Sequence, residues 1–143
     1  MTNIIESDEK VVILTKGQSM LPFIVGDRDS VELTKVKGEV CVGEILLAKI
    51  ANPLRYVIHR VIRVEGDEII LMGDGNLIGT ERCHKKDIVA QVTSIITPQK
   101  IIYPNTVRQQ YMAKIWQKLK PVRGYLLILF RQNKYFYDNR VTT

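Results

Sequence analysis

Up to Pro104 the chain is a series of short apolar runs rich in β-branched residues, each cut by glycine, proline, asparagine or aspartate. That punctuation constrains the fold more than any other feature. Runs of four to eight such residues between turn signals form strands, and strands at this spacing form sheets that close on themselves rather than βαβ layers. The spacing predicts strands over Val11–Thr15, Ser30–Val36, Glu44–Ile50, Arg55–Val64, Ile69–Met72, Ile88–Ile96 and Lys100–Tyr103. Turns fall at Gly26-Asp27, Val42-Gly43, Asn52-Pro53 and Glu65-Gly66-Asp67-Glu68. Without a βαβ rhythm, a doubly wound nucleotide-binding fold is disfavoured.

Beyond Pro104 the period changes. Met112, Ile115, Trp116, Leu119, Val122, Leu126 and Leu129 recur at three and four, which is helical, and Pro121 divides the pattern into two helices. Charge divides at the same place. Residues 1–104 hold 13 lysines and arginines against 14 acids, whereas residues 105–143 hold 8 against the single Asp138. The net charge of +6 therefore belongs to the tail, not to a uniformly basic body. The expected organisation is a polar lead-in over 1–10, a β domain over 11–104 and a basic amphipathic helical tail over 105–143. No stretch approaches the ~20 apolar residues of a membrane span. No secretory leader is visible at the start, so the expected location is the cytoplasm or the cytoplasmic face of a membrane. Cys41 and Cys83 lack metal-binding spacing and read as reduced thiols; Cys83-His84 would need two more ligands from distant segments. No cofactor and no metal are expected.

Three residues stand out for chemistry. Ser19 lies in Gly17-Gln18-Ser19-Met20-Leu21-Pro22, just past a strand end. A serine hydroxyl becomes a nucleophile when a base takes its proton, and a glycine-started turn can aim backbone N–H groups at the resulting oxyanion. His59 sits inside the run Tyr56-Val57-Ile58-His59-Arg60-Val61, on the strand face of Val57 and Val61. An imidazole titrating near neutrality suits proton transfer to and from such a serine. Asp74, in Gly73-Asp74-Gly75-Asn76, ends the strand that pairs with the histidine strand, where a carboxylate would orient the ring. Singly, each has a commoner explanation: a turn serine, a histidine satisfied in the core, a turn aspartate bonding its own backbone.

Their order and flanks are more specific. Gly-x-Ser-Met-x-Pro, then Gly26-Asp27, then Gly43-Glu44 opening an apolar strand, then Tyr-Val-Ile-His-Arg-Val, then Gly-Asp-x-Asn resemble the S24/S26 serine peptidases. The closest likeness is to type I signal peptidases of the endoplasmic-reticulum and archaeal branch, where a histidine replaces the lysine base. The resemblance covers residues 11–96, about three-fifths of the chain. It implies a mainly β fold, a β-rich barrel of the signal-peptidase and LexA-like type, here with a C-terminal basic helical appendage. It also implies Ser19 as nucleophile with its N–H in the oxyanion hole, His59 as general base, and Asp74 as the acid. The activity it implies is serine endopeptidase cleavage of a leader or signal-like peptide, with a peptide or preprotein as partner.

The chain departs from the family in three ways. The histidine branch carries a further aspartate after the Gly-Asp-Asn box, where this chain reads Gly79-Thr80-Glu81. Glu81 substitutes, or Asp74 acts alone, or the triad is incomplete. A membrane anchor is not seen, and the basic tail is not part of the minimal peptidase. These departures keep open an inactive peptidase-fold module that binds peptides or a membrane surface. Peripheral membrane contact would run through residues 107–131, where Trp116 stands among lysines. The simpler expectation buries the stripe Met112–Leu119 on the barrel. With no helix-turn-helix signature or aromatic-studded basic strand, nucleic acid is not an expected partner.

Overall fold

The structure is a computed structural model, and it describes residues 9–51 and 53–129. The polar lead-in and the end of the expected tail, including Phe130 and Arg131, fall largely outside the described residues.

Eight strands form one antiparallel sheet: β1 (Val11–Leu14), β2 (Ser30–Thr34), β3 (Ile45–Ile50), β4 (Arg55–Glu65), β5 (Glu68–Met72), β6 (Glu81–His84), β7 (Ile88–Ile96) and β8 (Ile101–Ile102). Their order is β1-β2-β7-β3-β4-β5-β6, with β8 pairing to the far end of β7. The sheet curls into a half-barrel, so the protein is mainly β, with a short helical C-terminal part. The curl buries β3 on both faces. Ile45 and Leu47 join Met20, Ile24, Val31, Leu33, Ala90, Val92 and Ile95 in one cluster, while Leu46, Ala48 and Ile50 join Val61, Ile69, Leu71 and Cys83 in another. A strand buried on both sides has no polar alternation, which is why Ile45–Ala48 is continuously apolar.

Six of the seven sequence-predicted strands recur with their ends moved by no more than two residues, and β7 matches at both ends. The strand β6 was not foreseen. Its sequence, Glu-Arg-Cys-His, alternates but carries no β-branched residue, and pairing with β5 defines it. In β6 Cys83 is buried and His84 exposed, so the adjacent pair points to opposite sides. Among the described residues no cluster of three or more histidines, cysteines or acids is placed to hold a metal.

After β8, Thr106 caps α1 (Val107–Lys118) by accepting from the Gln109 N–H. Pro121 falls in a single 3₁₀ turn, Lys120–Val122, and residues 123–129 are helical again. Two helices separated at Pro121 are what the spacing predicted. Trp116 and Leu127 then pack on Leu21, forming a third cluster bordered by Phe23, Val25, Leu119 and Leu126. The appendage is therefore joined to the β domain by a shared core, on the side of the Ser19 loop. Met112 and Ile115, expected to be buried, are exposed; Ala113 and Trp116 occupy the inner face instead. The inner line is thus rotated from the one that counting apolar residues picks out, because α1 is apolar on two sides.

Candidate active site

The segment between β1 and β2 is pinned at its ends. Thr15 N–H and its hydroxyl both donate to the Asp29 carbonyl, at 3.0 and 2.7 Å, and the Asp27 N–H returns to the Thr15 carbonyl. The Asp29 carboxylate accepts the Val25 N–H at 2.8 Å and an ion pair from Arg28. Inside this closed loop Met20 and Ile24 turn into the core, which leaves Ser19 half-buried at its edge.

The loop is braced from behind by Gly73-Asp74-Gly75-Asn76. Gly75 N–H donates to the Ser19 carbonyl at 2.8 Å, and Asp74 N–H to Met20 Sδ at 3.5 Å. A Cβ at Gly73 would collide with the Ser19 carbonyl oxygen, and one at Gly75 with the carbonyl oxygen of Gln18. Both glycines are needed for two backbones to approach this closely.

In front of the loop lies a cleft of about 430 Å³. Its walls include Ile13, Leu14, Leu47, Val57 and Ile58, and both Ser19 and His59 line it. Ser19 and His59 thus share one cavity, with no hydrogen bond between them among the described residues. A larger cavity of about 560 Å³ lies elsewhere, around Lys35, Lys49, Lys85 and Lys86, and contains neither residue. Among the described residues Ser19 makes no hydrogen bond through its hydroxyl or its N–H; its carbonyl alone is engaged.

His59 stands opposite Leu46 in the β3–β4 ladder and is 5% exposed. Its Nδ1 is buried and meets no hydrogen-bond partner. Burial pushes the ring below the ordinary histidine value; the charges of Glu81 and then Asp74 pull it back up, and Arg55 pushes it down. The ring is accordingly neutral at neutral pH, the form a general base needs.

Asp74 is not hydrogen-bonded to His59. Its carboxylate takes Arg60 side-on: Nε donates at 2.9 and 3.1 Å to the two oxygens and an Nη at 2.8 Å, in a pair 4% and 0% exposed. The reason is strand geometry. Arg60 follows His59 and lies opposite Met72, so its guanidinium is the group that reaches the loop starting at Gly73. A bidentate guanidinium satisfies the carboxylate more fully than an imidazole would. Glu81, at the start of β6, is the acid acting most strongly on His59; its carboxylate is held by Arg55 at 2.7 Å.

Three residues outside the sequence-derived set also hold the site. Arg60 additionally donates to the Gly43 carbonyl at 2.8 Å. Trp116 Nε1 donates to the Asp74 carbonyl at 2.6 Å. Arg123, fully buried, donates to the carbonyls of Asn76 and Trp116 and stacks 5.3 Å from the Trp116 ring. For Arg60 the sequence signal was its place directly after His59 in the box; Trp116 was visible only as part of the helical apolar spacing, and nothing in the sequence joined it or Arg123 to Asp74.

A scan against protein-family models finds no match to this chain, and a search of curated proteins finds none either.

Proposed function

We propose that the chain is a serine endopeptidase of signal-peptidase type that cleaves a leader or signal-like peptide. One observation carries the reading: a serine whose hydroxyl meets no hydrogen-bond partner and a buried histidine whose Nδ1 meets none line the same apolar-walled cleft. Two strand edges border that cleft. The strand β1 pairs only with β2 among the described strands, and β4 before Arg60 pairs only with β3. An extended peptide adds to such edges through its main chain, with alternate side chains in the apolar walls.

In the reaction Ser19 Oγ attacks the scissile carbonyl carbon while His59 takes the hydroxyl proton. The Ser19 N–H, engaged by nothing else, donates to the oxyanion. Collapse expels the new N-terminal amine, which takes the proton from His59. Water, deprotonated by the same ring, then cleaves the acyl ester and restores Ser19. Asp74 contributes by holding the loop behind Ser19 and by its charge, not by a bond to the ring. Of the two acids that raise the basicity of His59, Glu81 acts more strongly.

The commitment of Asp74 to Arg60 favours one rival, an inactive peptide-binding descendant of the same fold. A fluorophosphonate probe and a labelled leader peptide separate the two. Turnover and labelling should disappear in Ser19→Ala, and His59→Gln should slow turnover by roughly 10²–10⁴-fold. Peptide binding that persists in wild type and Ser19→Ala alike, with no labelling of either, leaves only the rival.

A further inference from the structure

The helix α1 buries Ala113 and Trp116 on its inner side, yet its outer side is not the polar face that a surface helix presents to water. Val107, Tyr111 and Ile115 stand one turn apart along it, exposed by 88%, 66% and 42%. Residues four apart share a helix face, so the three form a line. At 100° per residue Lys114 and Lys118 flank one side of that line and Arg108 the other, all three exposed. Past Pro121, Tyr125 is 75% exposed as well. No acid occurs between residues 105 and 129, so every charge that this segment itself sets beside the apolar line is positive.

We infer that this outer face of α1 docks the protein onto an anionic phospholipid leaflet, with the helix lying in the plane of the head groups. An apolar line with lysines along its flank satisfies both layers of such an interface: the line enters the acyl boundary, and the ammonium groups meet the phosphates. A partner of the same charge would be repelled, and a neutral apolar partner leaves three flanking cations without compensation. Tyr111 and Tyr125 belong at head-group depth, where an aromatic body and a polar tip are both accommodated. The inference stands independently of peptidase activity.

The test is co-sedimentation of the full chain with vesicles of phosphatidylcholine alone or of phosphatidylcholine doped with phosphatidylglycerol. At low salt the anionic vesicles should retain about tenfold more protein, and added salt should release it. Tyr111→Ser with Ile115→Ser should abolish retention while leaving the melting temperature in place, since both side chains are exposed. Lys114→Gln with Lys118→Gln should remove the salt-sensitive part. Equal retention on neutral vesicles, or none on either, overturns the inference. So does retention that survives the α1 variants but is lost in Arg131→Gln, Lys134→Gln, Arg140→Gln. A concentration-dependent dimer that Tyr111→Ser with Ile115→Ser converts to monomer, with vesicle retention unchanged, assigns the face to a second copy and overturns the inference too.

Discussion

At the scale of the residue, His59 is set by what surrounds it rather than by a bonded acid. Burial is the largest influence and disfavours the cation, while Glu81, Asp74 and Arg55 act through space. The acid limb of kcat/KM should therefore lie below the ordinary histidine value of about 6.5. Glu81→Gln removes an influence that raises the ring and should move that limb to lower pH; Arg55→Gln removes one that lowers it and should move the limb up. A pH–rate profile of the two variants, with the ring followed by NMR titration, checks both directions. If the limb does not move in either variant, His59 is not the titrating base. Stability carries the same sign. Below about pH 6.5 the unfolded chain binds a proton that the folded ring resists, so this group costs stability as pH falls towards its depressed folded value. The sequence singled out Ser19 and His59, each in a distinctive local box, and both line the cleft. The partner of Asp74 was not legible, because the choice between Arg60 and His59 is made by the register of β4 against β5, which no local pattern records.

At the scale of the element, the loop behind Ser19 is held by α1. Trp116 gives its N–H to the carbonyl of Asp74, the same residue whose carboxylate holds Arg60 and whose N–H meets Met20. Trp116→Phe keeps an aromatic body on Leu21 but orphans that buried carbonyl, a loss of about 1–3 kcal/mol. The expected result is a lower melting temperature together with weaker hydrogen-exchange protection at Gly75, whose N–H bonds the Ser19 carbonyl. Protection at Gly75 equal to wild type would mean that the helix steadies the domain without steadying the loop. Strand positions were legible wherever β-branched runs met glycine or proline. The strand β6 was not, because an edge strand of polar residues owes its shape to its neighbour. The orientation of α1 was also hidden: counting apolar residues at helical spacing finds a helix, and not which of two apolar sides faces inward.

At the scale of the whole molecule, the boundary drawn at Pro104 by the change of period is a boundary of secondary structure but not of the core. Trp116 and Leu127 pack on Leu21, which is 2% exposed, and Trp116 also bonds the carbonyl of the fully buried Asp74. The burial of Arg123 follows from the same closure. Burial pushes its guanidinium down from its ordinary value, the charge of Asp74 offsets part of that, and carbonyl oxygens of Asn76 and Trp116 receive its N–H groups. A charge is tolerated in such a place only when it is bonded on several sides. Ending the chain at residue 104 would remove Trp116 and Leu127 from the third cluster, at ~1.5–3 kcal/mol for each large buried side chain. It would also expose Leu21, Phe23 and Val25 on the loop that carries Ser19. Against a typical total of about 5–15 kcal/mol this is a large fraction. Residues 1–104 alone should therefore be soluble poorly or melt well below the full chain, and labelling of Ser19 should fall with the fold rather than before it. Calorimetry and probe labelling of the truncated and full chains, run side by side, decide this. A truncated chain that melts with the full one would make the helical part an appendage in the strict sense, joined to the β domain by sequence and not by packing.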